Sequence, residues 1–385
     1  MGFIILALMK KRIAIIGGGI AGLTFANCII KNNFDIHIFE KKEKFGEFGA
    51  AISVFPNALC VMDKIGVLDK LIMNAGEIRN IFLKTSSGKI LSKSTPKNDY
   101  PTICMHRNDL HEILLSNSNA NIYNNRNVKK IKNLKNNCVE LEFENGNTDI
   151  FDAVIGSDGI NSIVREHIMN DGKPIFRGYN VWRGVVKTNF DIGYASETFG
   201  NGKRVGIVPI KKGLYGWWAT ANEDFLQDDE PHGTKRKLKQ LFGNWHHPIP
   251  EMMQKTEKIL KNSLCDRAPK KGWSKGNIIL IGDAAHPTTP NLGQGGCIAI
   301  EGAYLLASCI NKYGLTPKAY KNYEKYHFDR SKEVINESLK IGKLGQSSNA
   351  ILIALRNLIF KIMPSKIAMK LVDKYFSYRV TEIKI

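Results

Sequence analysis

The chain has 385 residues, of which 43% are hydrophobic and 24% charged, as in folded globular proteins and unlike disordered ones. Its net charge of +19 comes from basic residues that are scattered and do not alternate with aromatic residues in a stripe. We therefore expect a surface generally rich in lysine and no nucleic-acid partner. No uncharged apolar run of about 20 residues occurs, which argues against a membrane-spanning helix.

The N-terminus and the cysteines favour a cytoplasmic protein. In "MGFIILALMKKR" the basic residues follow the apolar run, whereas a signal peptide has them first, and Met9 offers an alternative start. The seven cysteines form no CxxC pair and have no zinc-ligand spacing, so we expect reduced thiols and no metal site.

The first predicted unit, over residues 13–40, is a strand, a glycine-rich turn, a helix to about residue 30 and a second strand. Its turn has the pattern Gly17-x-Gly19-x-x-Gly22. The first glycine permits a tight bend, the second lets the backbone approach a pyrophosphate, and the third lets helix and strand pack closely. Glu40 ends the second strand, where a carboxylate binds ribose hydroxyls and repels a 2′-phosphate. The unit predicts binding of an adenine dinucleotide, FAD or NAD in preference to NADP.

The middle of the chain alternates between strands and helices. Residues 47–72 predict a loop and then a helix, and residues 78–105 predict strands around a Ser-Gly turn. A helix is expected from Arg107, short strands over 122–150, a β-rich region over 172–225 and a charged helical piece over 234–262.

Two further turns follow apolar strands. In "VIGSDGINSIVR", Asp158 and Gly159 form a turn, with Ser162 and Arg165 one helical turn apart; an ordinary helix N-cap is the alternative. In "IGDAAHPTTPNLGQGG", Asp283 lies at the carboxyl end of a strand, where open α/β sheets bind ligands. The glycines at 293–296 precede a helix whose N-terminal amides would face the loop.

These three motifs, in this order over about residues 10–310, resemble the single-component FAD-dependent monooxygenases of the aromatic-hydroxylase class. The resemblance implies FAD as cofactor, NADPH or NADH as a transient co-substrate, and transfer of one oxygen atom from O₂ to an aromatic or polycyclic substrate. It also implies an α/β fold with a Rossmann-like FAD-binding domain, an inserted β-sheet substrate domain and C-terminal helices. The expected boundaries are 10–75, 101–172 and 265–345 for the first, 76–100 and 173–264 for the second, and 346–380 for the third.

Residue by residue, the resemblance assigns the adenosine ribose to Glu40, the ribityl chain to Asp283, and the pyrophosphate and ribityl part to Arg107. The segment 287–295 would lie along the isoalloxazine ring. The full expected FAD-binding set is Gly17, Gly19, Gly22, Glu40, Lys41, Ala51, Arg107, Asp158, Gly159, Asp283, Pro290, Gly293 and Gly295. No catalytic acid or base is assigned, and His286 is interpreted as structural.

Substrate contacts are expected from the inserted sheet, with the candidates Trp182, Arg183, Arg204 and Trp218. The tryptophans have a core position as their alternative, because strand aromatics are more often core. For the two arginines the alternative is a solvated strand edge.

At the C-terminus, Ile351, Leu355 and Ile362 belong to an apolar stripe at helical spacing, and Pro364 should end that helix before a second one. Packing of this stripe on the catalytic domain is the default, with membrane-surface contact and a dimer contact as alternatives; we expect a monomer. Such a terminal helix resembles the tetracycline-inactivating subset of the family, so tetracycline-type substrates are the first expectation. Hydroxylation of small phenolic acids, epoxidation of isoprenoids and a lipid-acting flavin reductase stay open.

Overall fold

The computed structural model describes residues 10–30, 33–44, 50–135, 137–190, 192–225, 229 and 233–385. The strands are β1 (Lys11–Ile16), β2 (Phe34–Phe39), β3 (Ala51–Val54), β4 (Gly76–Glu77), β5 (Ile81–Thr85), β6 (Ile90–Ser94), β7 (Ile103–His106), β8 (Asn121–Tyr123), β9 (Val128–Asn133), β10 (Val139–Phe143), β11 (Thr148–Phe151), β12 (Ala153–Gly156), β13 (Ile175–Lys187), β14 (Ala195–Phe199), β15 (Lys203–Lys211), β16 (Leu214–Asn222), β17 (Ile259–Asp266), β18 (Ser274–Lys275) and β19 (Ile278–Leu280). The helices are α1 (Ile20–Cys28), α2 (Pro56–Lys64), α3 (Leu68–Met73), α4 (Arg107–Asn117), α5 (Ile163–Met169), α6 (Gly233–Phe242), α7 (Ile249–Lys255), α8 (Gly295–Tyr313), α9 (Pro317–Gly345), α10 (Ala350–Ile362) and α11 (Ser365–Phe376).

A mainly parallel sheet in the order β18-β19-β12-β1-β2-β8 carries the predicted strand–helix–strand unit. Its central strands are continuous apolar runs because helices cover both faces, as in doubly wound sheets. Ile16 of β1 pairs with Gly156 of β12, which pairs in turn with Leu280 of β19. The carboxyl ends of these three strands therefore lie side by side, and all three predicted motifs begin at one edge of the sheet.

A second sheet in the order β17-β13-β16-β15-β14-β5-β6 packs beside the first. Two small sheets, β3-β7-β4 and β11-β10-β9, complete the β structure of the described residues. The mixed α/β fold with a parallel-sheet dinucleotide domain, further sheets and C-terminal helices is as predicted.

Two local expectations were wrong. The segment 51–54 was expected to be a loop but forms β3, which pairs antiparallel with β7. The charged piece 234–262 was expected to be helical throughout, but β17 begins at Ile259 and pairs with β13. In both cases a partner strand distant in sequence decides the local structure, which propensity alone cannot reveal.

The C-terminal stripe is also oriented differently from the default expectation. Pro364 separates α10 from α11 as predicted. However, the stripe faces outward, with Ile351 77% and Ile362 66% exposed, whereas Arg356 on the opposite face of α10 is 1% exposed. Packing through the stripe is therefore wrong, because α10 contacts the protein through its arginine face. Among the described residues, no helix is long and apolar enough to cross a membrane.

Candidate functional site

A cavity of about 610 Å³ lies at the carboxyl edge of the parallel sheet and extends to the second sheet. It brings together motifs more than 250 residues apart in sequence. The predicted site residues that line it are Gly17, Gly19, Glu40, Lys41, Ala51, Arg107, Asp158, Gly159, Arg183, Arg204, Trp218, Asp283, Pro290, Gly293 and Gly295. Of the predicted set, only Gly22 and Trp182 are not on the cavity wall.

The glycines of the first turn meet different surroundings. Gly17 has a φ of +99°, and a Cβ there would lie 2.6 Å from the carbonyl oxygen of Ser157. A Cβ on Gly22 would lie 2.4 Å from the carbonyl oxygen of Gly17, so this glycine serves packing. A Cβ on Gly19 would meet nothing within 4 Å. Gly19 thus leaves open space on the cavity side, directly before the free N–H groups of α1.

Glu40 is fixed against this turn by two backbone amides. Its carboxylate accepts hydrogen bonds from the N–H of Gly18 and from the N–H of Lys42, both 3.0 Å long. On the other side of the turn, the Nε2 of His111 lies 2.6 Å from the carbonyl oxygen of Gly18. Because a carbonyl only accepts, this nitrogen must carry the proton. Burial lowers the pKa of His111, which favours the neutral ring. Sequence reasoning missed His111, although its position one turn after Arg107 on α4 was a signal.

Asp158 both lines the cavity and caps α5. Its carboxylate accepts from the hydroxyl of Ser162 at 2.5 Å and from the N–H of Ile163 at 2.8 Å. The N-cap alternative is therefore correct, since Ser162 also accepts from the N–H of Arg165 at 2.9 Å. Burial raises the pKa of Asp158, and these hydrogen bonds oppose the rise.

Arg165 connects the middle motif to the late loop. One guanidinium nitrogen donates to the carbonyl oxygens of Ala284 and Ala285, at 2.9 and 2.8 Å. The other side of the guanidinium binds Asp171, with the shorter contact at 2.6 Å. Arg165 is 1% exposed, so this buried bridge fixes the backbone immediately after Asp283.

Asp283 on the late loop and Arg107 on α4 place opposite charges on the cavity wall, and the loop leads directly into a helix. The surrounding protein raises the pKa of Asp283, while the charge of Arg107 opposes that rise. Gly293, with a φ of +69°, lies where a Cβ would be 3.0 Å from the ring of Phe55. Two residues later α8 begins, and its first N–H groups point toward the loop.

A pair of buried histidines connects this loop to α9. The Nε2 atoms of His286 and His327 are 3.2 Å apart, and both side chains are buried against Trp273. Burial lowers the pKa of His286 to about 4. His286 is not on the cavity wall, which is consistent with its interpretation as structural.

At the far end of the cavity lie the predicted arginines. Arg204 is buried with its guanidinium 5.4 Å from the ring of Trp218, and it donates to Gln346 at 2.7 Å and to Asn291 at 2.5 Å. The alternative of a solvated strand edge is therefore wrong for Arg204. Sequence reasoning included Asn291 only within segment 287–295 and gave it no contact with Arg204. It missed Gln346, which carried no motif of its own.

Arg183 is held at one end only. One of its terminal nitrogens donates to the side-chain oxygen of Asn262. Its Nε is buried and has no hydrogen-bond acceptor within the part of the chain that the structure describes. Burial, together with the nearby charge of Arg107, lowers the pKa of Arg183.

Trp182 occupies the position that its alternative predicted. It is completely buried in the hydrophobic core beside the second sheet, and its indole N–H donates to Asp229 at 3.2 Å. Successive side chains of a strand point to opposite faces, so Trp182 faces the core while its neighbour Arg183 faces the cavity.

Comparison with known proteins agrees with this arrangement. Residues 10–333 match the FAD-binding domain family. The chain is 32% identical to an aurachin C monooxygenase/isomerase of Stigmatella aurantiaca, over 92% of this chain and 94% of the other. It is 28% identical to a 6-hydroxynicotinate 3-monooxygenase of Pseudomonas fluorescens, over 84% and 89%.

Solved structures share the fold. Klebsiella pneumoniae HpxO, complexed with FAD and uric acid, matches with a TM-score of 0.85 at 21% identity, over 95% of this chain and 96% of that one. The tetracycline destructase Tet(51) matches with a TM-score of 0.70 at 20% identity, over 92% and 97%.

The chain therefore belongs to the FAD-binding domain family. Within that family it is a flavin-dependent monooxygenase, with FAD as its cofactor and NAD(P)H as the reductant typical of the family.

Proposed function

We propose that this enzyme hydroxylates a small aromatic ring that carries an ionisable hydroxyl group, bound beside FAD between Arg183 and Trp218. The observation that carries the proposal is the position of Arg183 on the cavity wall beside Arg107 and Trp218, with one terminal nitrogen bound to Asn262. A guanidinium has five N–H donors, so a ligand oxygen in the cavity can accept from those that face it.

The chemistry of the cavity wall suits FAD. At one end, the open space beside Gly19 and the N-terminus of α1 suit the pyrophosphate. The carboxylate of Glu40 has about four acceptor sites, of which the two backbone amides use two, so ribose hydroxyls can bind the others. FAD supplies the electrons and the reaction with O₂, and the protein supplies position and exclusion of water.

In this arrangement Asp283 and Arg107 would bind the middle of the cofactor, and segment 287–295 would lie along its ring. The N-terminus of α8 would then present positive amide ends to the flavin, where reduction adds negative charge. Preorganised amides of this kind stabilise developing charge without reorganisation.

Positive charge at the substrate end supports an anionic or ionisable ring. Arg107 and Arg183 line the same cavity, and burial together with the charge of Arg107 lowers the pKa of Arg183. Arg204 also lines the cavity, but it is paired with Glu197 at 3.1 Å. A bound phenolate would reduce the electrostatic repulsion between Arg107 and Arg183. Ionisation also makes the ring electron-rich, as transfer of an electrophilic oxygen requires.

The size of the cavity favours a small substrate. About 610 Å³ lies within the usual range of roughly 300–1,000 Å³ for a single ligand site, yet this cavity must hold FAD and the substrate together. A one-ring acid of the kind named in the 6-hydroxynicotinate 3-monooxygenase relative needs less of this shared space than a polycyclic compound does.

A tetracycline-type polycycle, the first expectation from the sequence, is the second candidate. The observation in its favour is the terminal helix α10, whose Arg356 donates to the carbonyl of Gly345, next to Arg204 on the cavity wall. This contact brings α10 near the substrate end of the cavity, where the terminal helix of the tetracycline-inactivating subset is expected.

The test is a ligand panel applied to the flavin-loaded enzyme. Hydroxybenzoates, hydroxypyridine carboxylates, tetracyclines and isoprenoids would each be titrated against the flavin absorbance spectrum and against the rate of NAD(P)H oxidation. We expect hydroxylated one-ring acids to perturb the spectrum and to accelerate oxidation. Acceleration by tetracyclines alone would favour the second candidate, and acceleration by isoprenoids alone would contradict both.

A further inference from the structure

The outer surface of the two C-terminal helices is an exposed apolar face. We call it the terminal apolar face and define it by its exposed aliphatic residues on α10 and α11: Ile351, Leu352, Leu355, Leu358, Ile359, Ile362, Ile367 and Leu371. Monomeric soluble proteins rarely expose contiguous apolar patches of this extent, so such a face indicates an interaction surface.

The orientation of helix α10 is the reverse of that expected for a helix whose outer face contacts water. Its buried residue is Arg356, whose guanidinium donates to the carbonyl oxygen of Gly345 at 3.1 Å and lies 4.9 Å from the ring of Phe199. On the same side, Phe360 contacts Phe199. A helix in water normally buries its leucines and exposes its arginine. Here specific inward contacts fix the reverse orientation, so the exposure of the apolar residues is a defined feature of the fold.

The charge on the two helices that carry this face is mainly positive. They have Lys361, Lys366, Lys370 and Lys374 in addition to the buried Arg356, and a single acidic residue, Asp373, in the last turn of α11. A basic helix pair with an apolar outer face fits the boundary of an anionic lipid bilayer, where aliphatic side chains enter the acyl region and lysines remain among the headgroups.

We propose that the terminal apolar face binds the surface of an anionic lipid bilayer, with α10 and α11 lying in the plane of the interface. The excess of lysine on these helices favours a lipid surface over a second copy of the chain. A symmetric contact between two copies would bring these like charges together with only Asp373 to compensate them.

The same two helices contact the walls of the cavity. Phe376 at the end of α11 stacks on Phe55 with ring centroids 4.5 Å apart, and Phe55 lies against Gly293. On the other side, Gly345 before α10 lies against Arg204. A bilayer bound at this face would therefore lie close to the substrate end of the cavity.

Sedimentation of the full-length flavin-loaded protein with vesicles tests the proposal. The vesicles are either pure phosphatidylcholine or a mixture of phosphatidylcholine and phosphatidylglycerol. We expect binding to the mixed vesicles that weakens as salt is raised, and weaker binding to the neutral ones. Two variants separate the contributions: an apolar-face triple, I351Q/L355Q/I362Q, and a charge triple, K361E/K366E/K370E.

Each triple has a control that makes the same chemical change at exposed positions elsewhere. The controls are M73Q/I150Q/I175Q for the apolar triple and K187E/K212E/K258E for the charge triple. We expect the apolar triple to reduce partitioning onto both kinds of vesicle by about tenfold or more, since it removes aliphatic burial. The charge triple should remove the preference for phosphatidylglycerol, since each basic residue near the surface contributes severalfold in affinity. The controls should bind like the unaltered protein.

Three results would overturn the proposal. The first is an unaltered protein that stays in the supernatant with both vesicles, and the second is vesicle binding by the apolar triple equal to that of its control. The third is a dimer of the unaltered protein in light scattering, together with an apolar triple that is monomeric and does not bind vesicles. In that last case a second copy covers the face.

Discussion

The role of each glycine in the first turn depends on the atoms next to its Cα. Gly17 needs a positive φ, and Gly22 lies against a backbone carbonyl, whereas the Cβ position of Gly19 is open toward the cavity. The sequence motif predicted a tight bend at the first glycine, ligand approach at the second and close packing at the third. The structure adds which atoms each glycine meets, because these come from segments distant in sequence such as Ser157.

Gly19→Ala should therefore affect FAD binding, whereas Gly22→Ala should affect the stability of the fold. Gly19→Ala should leave the unfolding temperature without FAD nearly unchanged, and it should reduce the stabilisation by added FAD, because its methyl occupies space proposed for the pyrophosphate. Gly22→Ala should lower stability by about 1–3 kcal/mol, as overpacking does. Thermal unfolding with and without added FAD measures both. Equal effects of the two substitutions on FAD-free stability would contradict this assignment.

Arg183 is the residue on which the substrate proposal depends most. Arg183→Gln should weaken binding of a hydroxylated benzoate about 10- to 100-fold, since a hydrogen bond to a charged group contributes about 1.5–3 kcal/mol. Titration of the ligand against flavin absorbance gives the affinity. The control is Arg236→Gln, at an exposed position on α6. Unchanged affinity in Arg183→Gln would remove the main support for an anionic substrate.

Among the elements, strands and helices with their own periodicity were predictable, and elements defined by distant partners were not. The unit β1–α1–β2 and helix α4 followed from sequence, with α4 starting at Arg107 as expected. Strand β3 and the outward stripe of α10 were missed, since the first needs β7 as a partner and the second depends on where Arg356 finds acceptors. The bridge from Arg165 to the late loop was missed for the same reason.

That bridge gives a prediction for the contact between α5 and the late loop. Arg165→Lys should lower FAD affinity severalfold or more, because a lysine keeps the charge but loses the fork that reaches two carbonyls and Asp171. FAD affinity follows from fluorescence on release of the flavin. A suitable comparison is Arg12→Lys, because Arg12 pairs with Asp149 at a half-exposed site. If both substitutions change FAD affinity equally, Arg165 does not position the loop.

The histidine pair between the late loop and α9 predicts acid sensitivity. Burial lowers the pKa of His286 to about 4, against about 6.5 for an unperturbed histidine, so the unfolded chain takes up a proton before the folded one does. Its stabilisation is complete above about pH 6.5 and is lost as pH falls toward 4. Burial also lowers the pKa of His327 well below its usual value, so His327→Gln should flatten the fall of the unfolding temperature over this range, whereas exposed His247→Gln should not. Parallel pH curves for the unaltered protein and His327→Gln would contradict the prediction.

For the whole molecule, the arrangement of the two large sheets explains the distance between the motifs in sequence. The parallel sheet places Gly17, Asp158 and Asp283 at one edge, and the second sheet adds Arg183 and Trp218 to the same cavity. The sequence predicted the class of cofactor because its motifs are local. The substrate could not be predicted in the same way, since the cavity wall combines side chains from both sheets and from segments without a motif.

The most direct test of the account is the mass of the product formed under labelled dioxygen. The flavin-loaded enzyme would be supplied with NAD(P)H, ¹⁸O₂ and the one-ring hydroxylated acid that accelerates NAD(P)H oxidation most. The account predicts a product that has gained one oxygen atom, with the label from dioxygen and none from water. A product without added oxygen, or one whose new oxygen comes from water, would contradict it.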